Sequence, residues 1–145
     1  MKAKIKNILA SVLQKLEKVE IIRGRKKFKV VYEKGVELKG KTLRCLVVTT
    51  GINKLLTKRK ILFGISISRK VRLAVDRNRI KRLIRESYRR NKSLLTVNNE
   101  NCIIPSALLF IYRPSRAENH FPSFSEIDND IKYILDRILH EIFPK

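Results

Sequence analysis

The chain is poor in the residues from which protein active sites are built. Its 145 residues include 2 histidines, 2 cysteines and 13 carboxylates, against 34 lysines and arginines. Cys45 and Cys102 stand alone, with no CxxC pair. They make neither a disulfide framework nor a zinc site, and both read as buried thiols in a reducing compartment. His120 and His140 are far in sequence from the basic stretch and have no partner at ligand spacing. No glycine-rich phosphate loop and no nucleophile motif occurs. No apolar run approaches the roughly 18 residues of a membrane span, and repeats and low-complexity segments are absent. A protein-only nuclease needs metal-binding carboxylates or a histidine acid–base pair, so the chain is expected to bind without cutting on its own.

Positive charge is what the chain has in excess. The formal net charge is +21, and 43% hydrophobic residues are enough for one core. Residues 1–20 carry five lysines and two acids, residues 21–97 carry 24 basic and four acidic residues, and residues 98–145 carry five and seven. The middle of the chain therefore holds the binding face. Phosphates of a nucleic acid would relieve its self-repulsion, whereas a merely solubilising surface mixes both signs.

The centre of that middle is Gly64–Arg90, GISISRKVRLAVDRNRIKRLIRESYRR. It reads as a strand, a basic corner at Arg69-Lys70-Val71-Arg72, and a helix over Asp76–Arg90 with Asp76 as its N-cap. Ile80, Leu83, Ile84 and Tyr88 fall within an arc of about 140°, a core-facing stripe. Asn78, Arg82, Arg85 and Arg89 project opposite, with Lys81 on the shoulder. Glu86, the one carboxylate inside the helix, is expected to pair with Arg82 or Arg90.

Around this stretch the pattern predicts the other elements. MKAKIKNILASVLQKLEKVE, residues 1–20, is a basic amphipathic helix that docks on the domain or a partner. A transit-peptide reading is opposed by Glu17, Glu20 and the lack of arginine. Arg23–Lys34 is a helix stopped by Gly35, with Phe28 and Tyr32 placed either for a core or for stacking on unpaired bases. Thr42–Thr49 and Lys60–Ser68 are strands expected to form a hairpin across a basic loop, Thr50–Arg59, with a further short strand around Val36–Leu38. Gly64 and Ser66 leave one face of the second strand shallow, open to an extended ligand or to tight packing by another element. Asn91–Ser106 is a loop excursion. Ala107–Arg113 is a strand buried on both faces. The spacing of Ser123 and Glu126 is that of a capping box, ahead of a helix with its stripe at Ile127, Ile131, Ile134, Leu135, Ile138 and Ile142, and with Asp128 and Asp130 in its first turn. The class is α+β, a small mixed sheet with helices packed mainly on one face. The extension covers residues 1–20 and a single domain residues 21–145.

The run GISISRKVRLAVDRNRIKRLIRESYR, with its Arg77-Asn78-Arg79 motif, resembles the signature of the bacterial ribonuclease P protein family. Arg25–Gly35, with Phe28 and Tyr32, resembles that family's first helix, and Leu108–Pro114 its last strand. The resemblance implies a left-handed strand–helix–strand crossover, against the usual hand. It implies that an RNA subunit is the catalyst, using magnesium ions, with no catalytic residue, metal or cofactor on the protein alone. The protein's partners would be that RNA, one protein per RNA, and precursor tRNA, in the cytoplasm and without a membrane. The RNA subunit would be met by Arg69, Lys70, Arg77, Asn78, Arg79, Lys81, Arg82, Arg85 and Arg89. The single-stranded 5′ leader would lie in a cleft between first helix and sheet, at Phe28, Tyr32, Arg44, Ser66 and Ser68. Arg72-Leu73 replaces a usual glycine-containing pair, and Asp76 a usually apolar residue. The strand Thr42–Thr49 offers Leu43 and Cys45 where an aromatic would line the cleft, so leader binding would lean on charge. A structural RNA-binding protein fits the composition equally well, and a basic helix in a DNA groove fits less well for want of a helix-turn-helix pair or zipper. The motif helix discriminates between them.

Overall fold

The computed structural model describes residues 21, 22, 24–48, 61–97, 105–114 and 121–142. The N-terminal helix expected over residues 1–20, the loop Thr50–Arg59, the stretch around Cys102 and the surroundings of His120 lie outside the described residues.

The described chain runs α1 (Arg25–Lys34), β1 (Val36–Lys39), β2 (Leu43–Val48), β3 (Leu62–Ile67), α2 (Ala74–Asn91), a short α3 (Ser93–Val97), β4 (Ala107–Tyr112) and α4 (Phe124–Arg137), which continues as a π-helical turn, Ile138–Ile142. The expected α+β class holds: the strands form one mixed sheet in the order β1-β2-β4-β3. The hairpin expected between β2 and β3 does not exist. β2 pairs antiparallel with β1 and β4, while β3, among the described strands, pairs with β4 alone, in parallel, through the crossover that contains α2. The reason is burial. Nearly all of β4 is buried, so it takes the centre, and β3 with Gly64 and Ser66 is left at an edge. Part of that edge is covered by the incoming chain, where the Ile22 N–H donates to the Phe63 carbonyl at 2.8 Å.

Strand alternation divides the interior into two clusters. Leu43, Cys45, Val47, Phe63, Leu108, Phe110 and Tyr112 face α2 and α4, which supply Ile80, Ile84, Tyr88, Ile127, Ile131 and Ile134. Val48, Leu62, Ala107 and Leu109 face the other way and meet Val31 of α1 and Ile22, with Phe28 packed alongside. Burial pushes the Cys45 thiol well above its ordinary value, outweighing a backbone hydrogen bond from Leu109, so the thiol is inert.

Two glycines set the position of α1. Gly24, at φ 88°, turns the chain into the helix in a conformation other residues rarely adopt. Gly35 ends it for a different reason from the one its sequence position suggests. Its backbone is extended, φ −73° and ψ 141°, but a Cβ would lie 2.6 Å from the Val31 carbonyl and 2.9 Å from Leu46 Cβ.

At α4 the expected capping box is present, Ser123 Oγ accepting from the Glu126 N–H and Glu126 Oε2 accepting from the Ser123 N–H. Asp128 and Asp130 lie beyond the first turn and bind other elements instead. The Asp130 carboxylate, buried, accepts the backbone N–H groups of Lys41 at 3.1 Å, Thr42, and Leu43 at 2.8 Å, tying α4 to the turn between β1 and β2. Three converging donors on one carboxylate are charge-assisted bonds, and truncation leaves all three without an acceptor. Asp130→Ala is therefore expected to lower the unfolding free energy by roughly 2–3 kcal/mol in a urea titration. A loss below about 0.5 kcal/mol would mean that water replaces the carboxylate at no cost.

Candidate nucleic-acid interface

The motif helix α2 starts at Ala74, two residues ahead of the expected start. Leu73 occupies the cap position without a side-chain bond, and Asp76 sits in the first turn, where its charge suits the positive end of the helix dipole. Ile80, Ile84 and Tyr88 are buried and Leu83 packs beside them, as the stripe predicts. Asn78, Arg79, Arg82 and Arg85 are exposed, and Arg77 and Lys81 are half-buried. Arg69 and Lys70 are exposed in the corner, where the Lys70 N–H donates to Ser68 Oγ at 3.3 Å.

Glu86 does not take Arg82. It binds Arg89 through Oε1 and Oε2, at 2.6 and 3.1 Å, and Arg90 at 3.0 Å. The Arg89 hydrogen bond, assisted by Arg90, holds the Glu86 carboxyl below its ordinary range, and Arg89 is raised in return. Arg89, expected among the outward cations, is therefore committed within the helix. Arg82 and Arg85 have no such partner among the described residues, so their field points outward.

On the opposite side of the sheet, register aligns Arg44, Ile111 and Ser66 in one row across β2, β4 and β3. Tyr32, about half exposed, donates from its hydroxyl to Ser66 Oγ at 3.1 Å, so α1 and β3 are bridged across the groove. Arg44 lies at the far end of the row, 3.3 Å from Glu37. Leu43 and Cys45 do not line this groove as expected. Their odd register places them in the cluster under α2 and α4, and Arg44, Leu46 and Val48 are the β2 residues on the α1 side. Both readings of the shallow face apply, at different positions. A Cβ at Gly64 would come within 3.0 Å of Ile22 Cδ1, so another element packs there, while Ser66 stays half-exposed.

The two faces meet at the edge of β3. A pocket of about 150 Å³ is lined there by Ile21, Ile22 and Phe28, by Phe63, Gly64 and Ile65 of β3, and by Lys81 and Arg85 of α2. Phe28 is thus both packing and surface. That cations of α2 reach the aromatic of α1 had no signal in the sequence, because their proximity depends on β3 being an edge strand. The donors on this face are guanidinium and ammonium groups, which fit phosphate and repel a bare cation. Among the described residues no three His, Cys, Asp or Glu side chains converge as metal ligands, and no helix is long and apolar enough to cross a membrane.

A polar bracket holds α2 in place. Ser87 Oγ donates to Asp128 Oδ1 at 2.7 Å, Asn91 Nδ2 donates to the same oxygen at 3.0 Å, and Lys132 Nζ lies 2.8 Å from Asp128 Oδ2. Nothing in either helix's periodicity announces this pairing, since both Ser87 and Asn91 look like ordinary polar positions.

A family model described as Ribonuclease P matches residues 16–139. The ribonuclease P protein component of Clostridium kluyveri is 34% identical over 116 residues, covering 80% of this chain and 91% of that one. The component from Chlorobaculum tepidum is 30% identical over 138 residues, covering 90% and 86%. Among solved structures, the RNase P protein of Thermotoga maritima superposes with a TM-score of 0.63 at 25% identity over 82% of this chain and 97% of that one. The Staphylococcus aureus RNase P protein gives a TM-score of 0.62, also at 25% identity, over 86% and 97%.

The Asp128 bracket makes a pH-dependent prediction. Burial alone would raise the Asp128 pKa, but hydrogen bonds from Lys132, Ser87 and Asn91, with the Lys132 charge, outweigh it and hold the pKa below its ordinary value. A depressed folded pKa contributes stability that is present above the unfolded carboxylate pKa, about 3.9, and lost as pH falls through the folded value. Ser87→Ala removes one of these donors, so it is expected to destabilise the protein at pH 7 and to do so less at pH 3. Urea midpoints at the two pH values measure this, and an equal deficit at both would assign the effect to packing.

Proposed function

The chain belongs to the ribonuclease P protein family, the protein component of a tRNA-processing ribonuclease, and on that premise we propose how its surface serves the reaction. The exposed side of α2, with Arg69 and Lys70 at its corner and Asn78, Arg79, Arg82 and Arg85 along it, docks on the ribonuclease P RNA. The groove between α1 and the sheet, with Phe28, Tyr32, Arg44, Ser66 and Ser68, takes the single-stranded 5′ leader of precursor tRNA. One observation carries this reading: Lys81 and Arg85 share a pocket with Phe28 at the β3 edge. A single strand needs cations for its phosphates and a ring for an unstacked base within reach of one another, and this edge supplies both.

The mechanism on the protein's side is electrostatic. Its arginines and lysines neutralise phosphates where catalytic RNA and leader crowd together, which raises substrate affinity without supplying a reacting group. The aromatic ring of Phe28 presents a surface on which an unstacked base rests, and the Tyr32 hydroxyl bond to Ser66 sets the groove's width. Magnesium belongs, in this reading, to the RNA, because the cationic side chains of the face do not suit a bare ion. Arg44 contributes less than a free cation would, since Glu37 shares its charge.

The reading is tested by cleavage of labelled precursor tRNA at low magnesium with a bacterial ribonuclease P RNA alone, this protein alone, and both. Cleavage at the mature 5′ end in the mixture alone is the expected result. Tight RNA binding without cleavage in the mixture would favour a structural RNA-binding role, and cutting by the protein alone would overturn the assignment of chemistry to the RNA. Within the holoenzyme, Phe28→Ala is expected to cost on the order of 1–3 kcal/mol in affinity for leader-bearing substrate and little for mature tRNA. Equal loss for both substrates would return Phe28 to a purely structural role.

A further inference from the structure

The cations of α2 are not held alike, and the difference comes from outside the helix. The guanidinium carbon of Arg79 lies 4.5 Å from the centroid of the Phe121 ring, and that of Arg90 lies 5.3 Å from the Phe124 ring. Arg79 and Arg90 are eleven residues apart, which at 100° per residue puts them about 20° apart around the helix. The segment leading into α4 therefore runs along one flank of α2 and sets a ring under an arginine at each end. The two contacts have different consequences. Arg90 also donates its Nε–H to Glu86, so part of its fork is occupied. Arg79 is exposed and has no carboxylate partner among the described residues.

Resting on the reading above, we infer that Phe121 is a positioning residue for Arg79, presenting it as a pre-ordered phosphate fork to the RNA subunit. A guanidinium over an aromatic ring is held through its face, which leaves the five N–H donors in its plane free for phosphate oxygens. An arginine ordered before binding loses less side-chain freedom when the phosphate arrives. Phe121 is suited to the task because its own position is fixed: it is half-buried and packs against the cluster under α2 and α4. Arg82 and Arg85 have no ring beneath them among the described residues, so they act as flexible charges beside an oriented one.

The test is a double-mutant cycle on affinity for a bacterial ribonuclease P RNA, measured with the full chain by filter binding. Phe121→Leu, which keeps an apolar side chain and removes the ring, is expected to weaken binding about three- to fivefold, and Phe121→Trp to restore it to within about twofold. In an Arg79→Gln background Phe121→Leu should add less than about twofold, because the group it positions is already gone. A factor for Phe121→Leu that is equal in both backgrounds, or a loss that Phe121→Trp does not rescue, overturns the proposal and leaves Phe121 as packing. Arg79→Gln alters an exposed side chain, so it must lower affinity while leaving Tm unchanged; no loss of affinity also overturns it. Failure of the unmodified chain to bind the RNA at all would remove the functional reading itself, an outcome distinct from additivity in the cycle.

Discussion

A single aromatic cluster pins the most highly charged element to the sheet. The rings of Tyr88 from α2 and Phe63 from β3 stack with centroids 4.2 Å apart and planes 3° from parallel, and Phe110 of β4 tilts against both at 5.8 Å. The three residues come from the helix and from both strands of the crossover, so the cluster closes the unit on itself. Aromatic pairs add about 0.5–1.5 kcal/mol beyond the area they bury, and full burial of side chains such as Ile80 and Ile84 contributes roughly 1.5–3 kcal/mol each. The surface pairs of Glu86 with Arg89 and Arg90 contribute about 0–1 kcal/mol. Apolar and aromatic contacts, not ion pairs, therefore hold α2 against the repulsion of its own cations.

That division of labour leaves the outer side of the helix free to be cationic. Had carboxylates on that outer side stabilised α2, they would have neutralised its positive field. The few polar groups that do hold it, Ser87, Asn91 and Asp128, act at the buried seam with α4, away from the exposed arginines. Asp128 and Asp130 both belong to the acidic C-terminal part of the chain. One fastens α2 and the other the turn between β1 and β2, so the acids serve the scaffold while the bases remain on the surface.

What could be seen in the sequence was whatever repeats locally. The stripe of α2, the capping box of Ser123 and Glu126 and the two-sided apolar character of β4 all depend on neighbours within a few positions, and each corresponds to what the fold contains. The outward placement of Asn78, Arg82 and Arg85 on α2 was legible for the same reason. The pairing of β2 with β4 joins residues about sixty to seventy positions apart, Val48 with Ala107 at one end and Leu43 with Tyr112 at the other, and alternation within β2 or β3 carries no record of the partner strand. The same holds for Asp130 and the turn at Lys41–Leu43, which are joined across 87 to 89 positions. Asp76 shows a subtler limit: a residue type favoured at caps also suits the first turn, and only the backbone angles of Leu73 distinguish the two. Gly35 likewise had the right position for a helix stop, but the need for glycine there is set by Leu46 on another element.

The order of strands, more than any motif, decides which side chains share a surface. With β4 at the centre, β3 becomes an edge, and an edge strand is a place where the two faces of a sheet are within reach of one another. Had β2 and β3 formed the expected hairpin, with β4 outside them, β3 would have been interior and its flank covered by a strand. Lys81 and Arg85 would then be separated from Phe28 by the sheet. In the observed order, Ile21 and Ile22 cover only the start of the β3 edge, and the cations of one face and the aromatic of the other line the same pocket. The parallel pairing of β3 with β4 is part of the same arrangement, because it requires a crossover, and the crossover is what places α2 beside that edge.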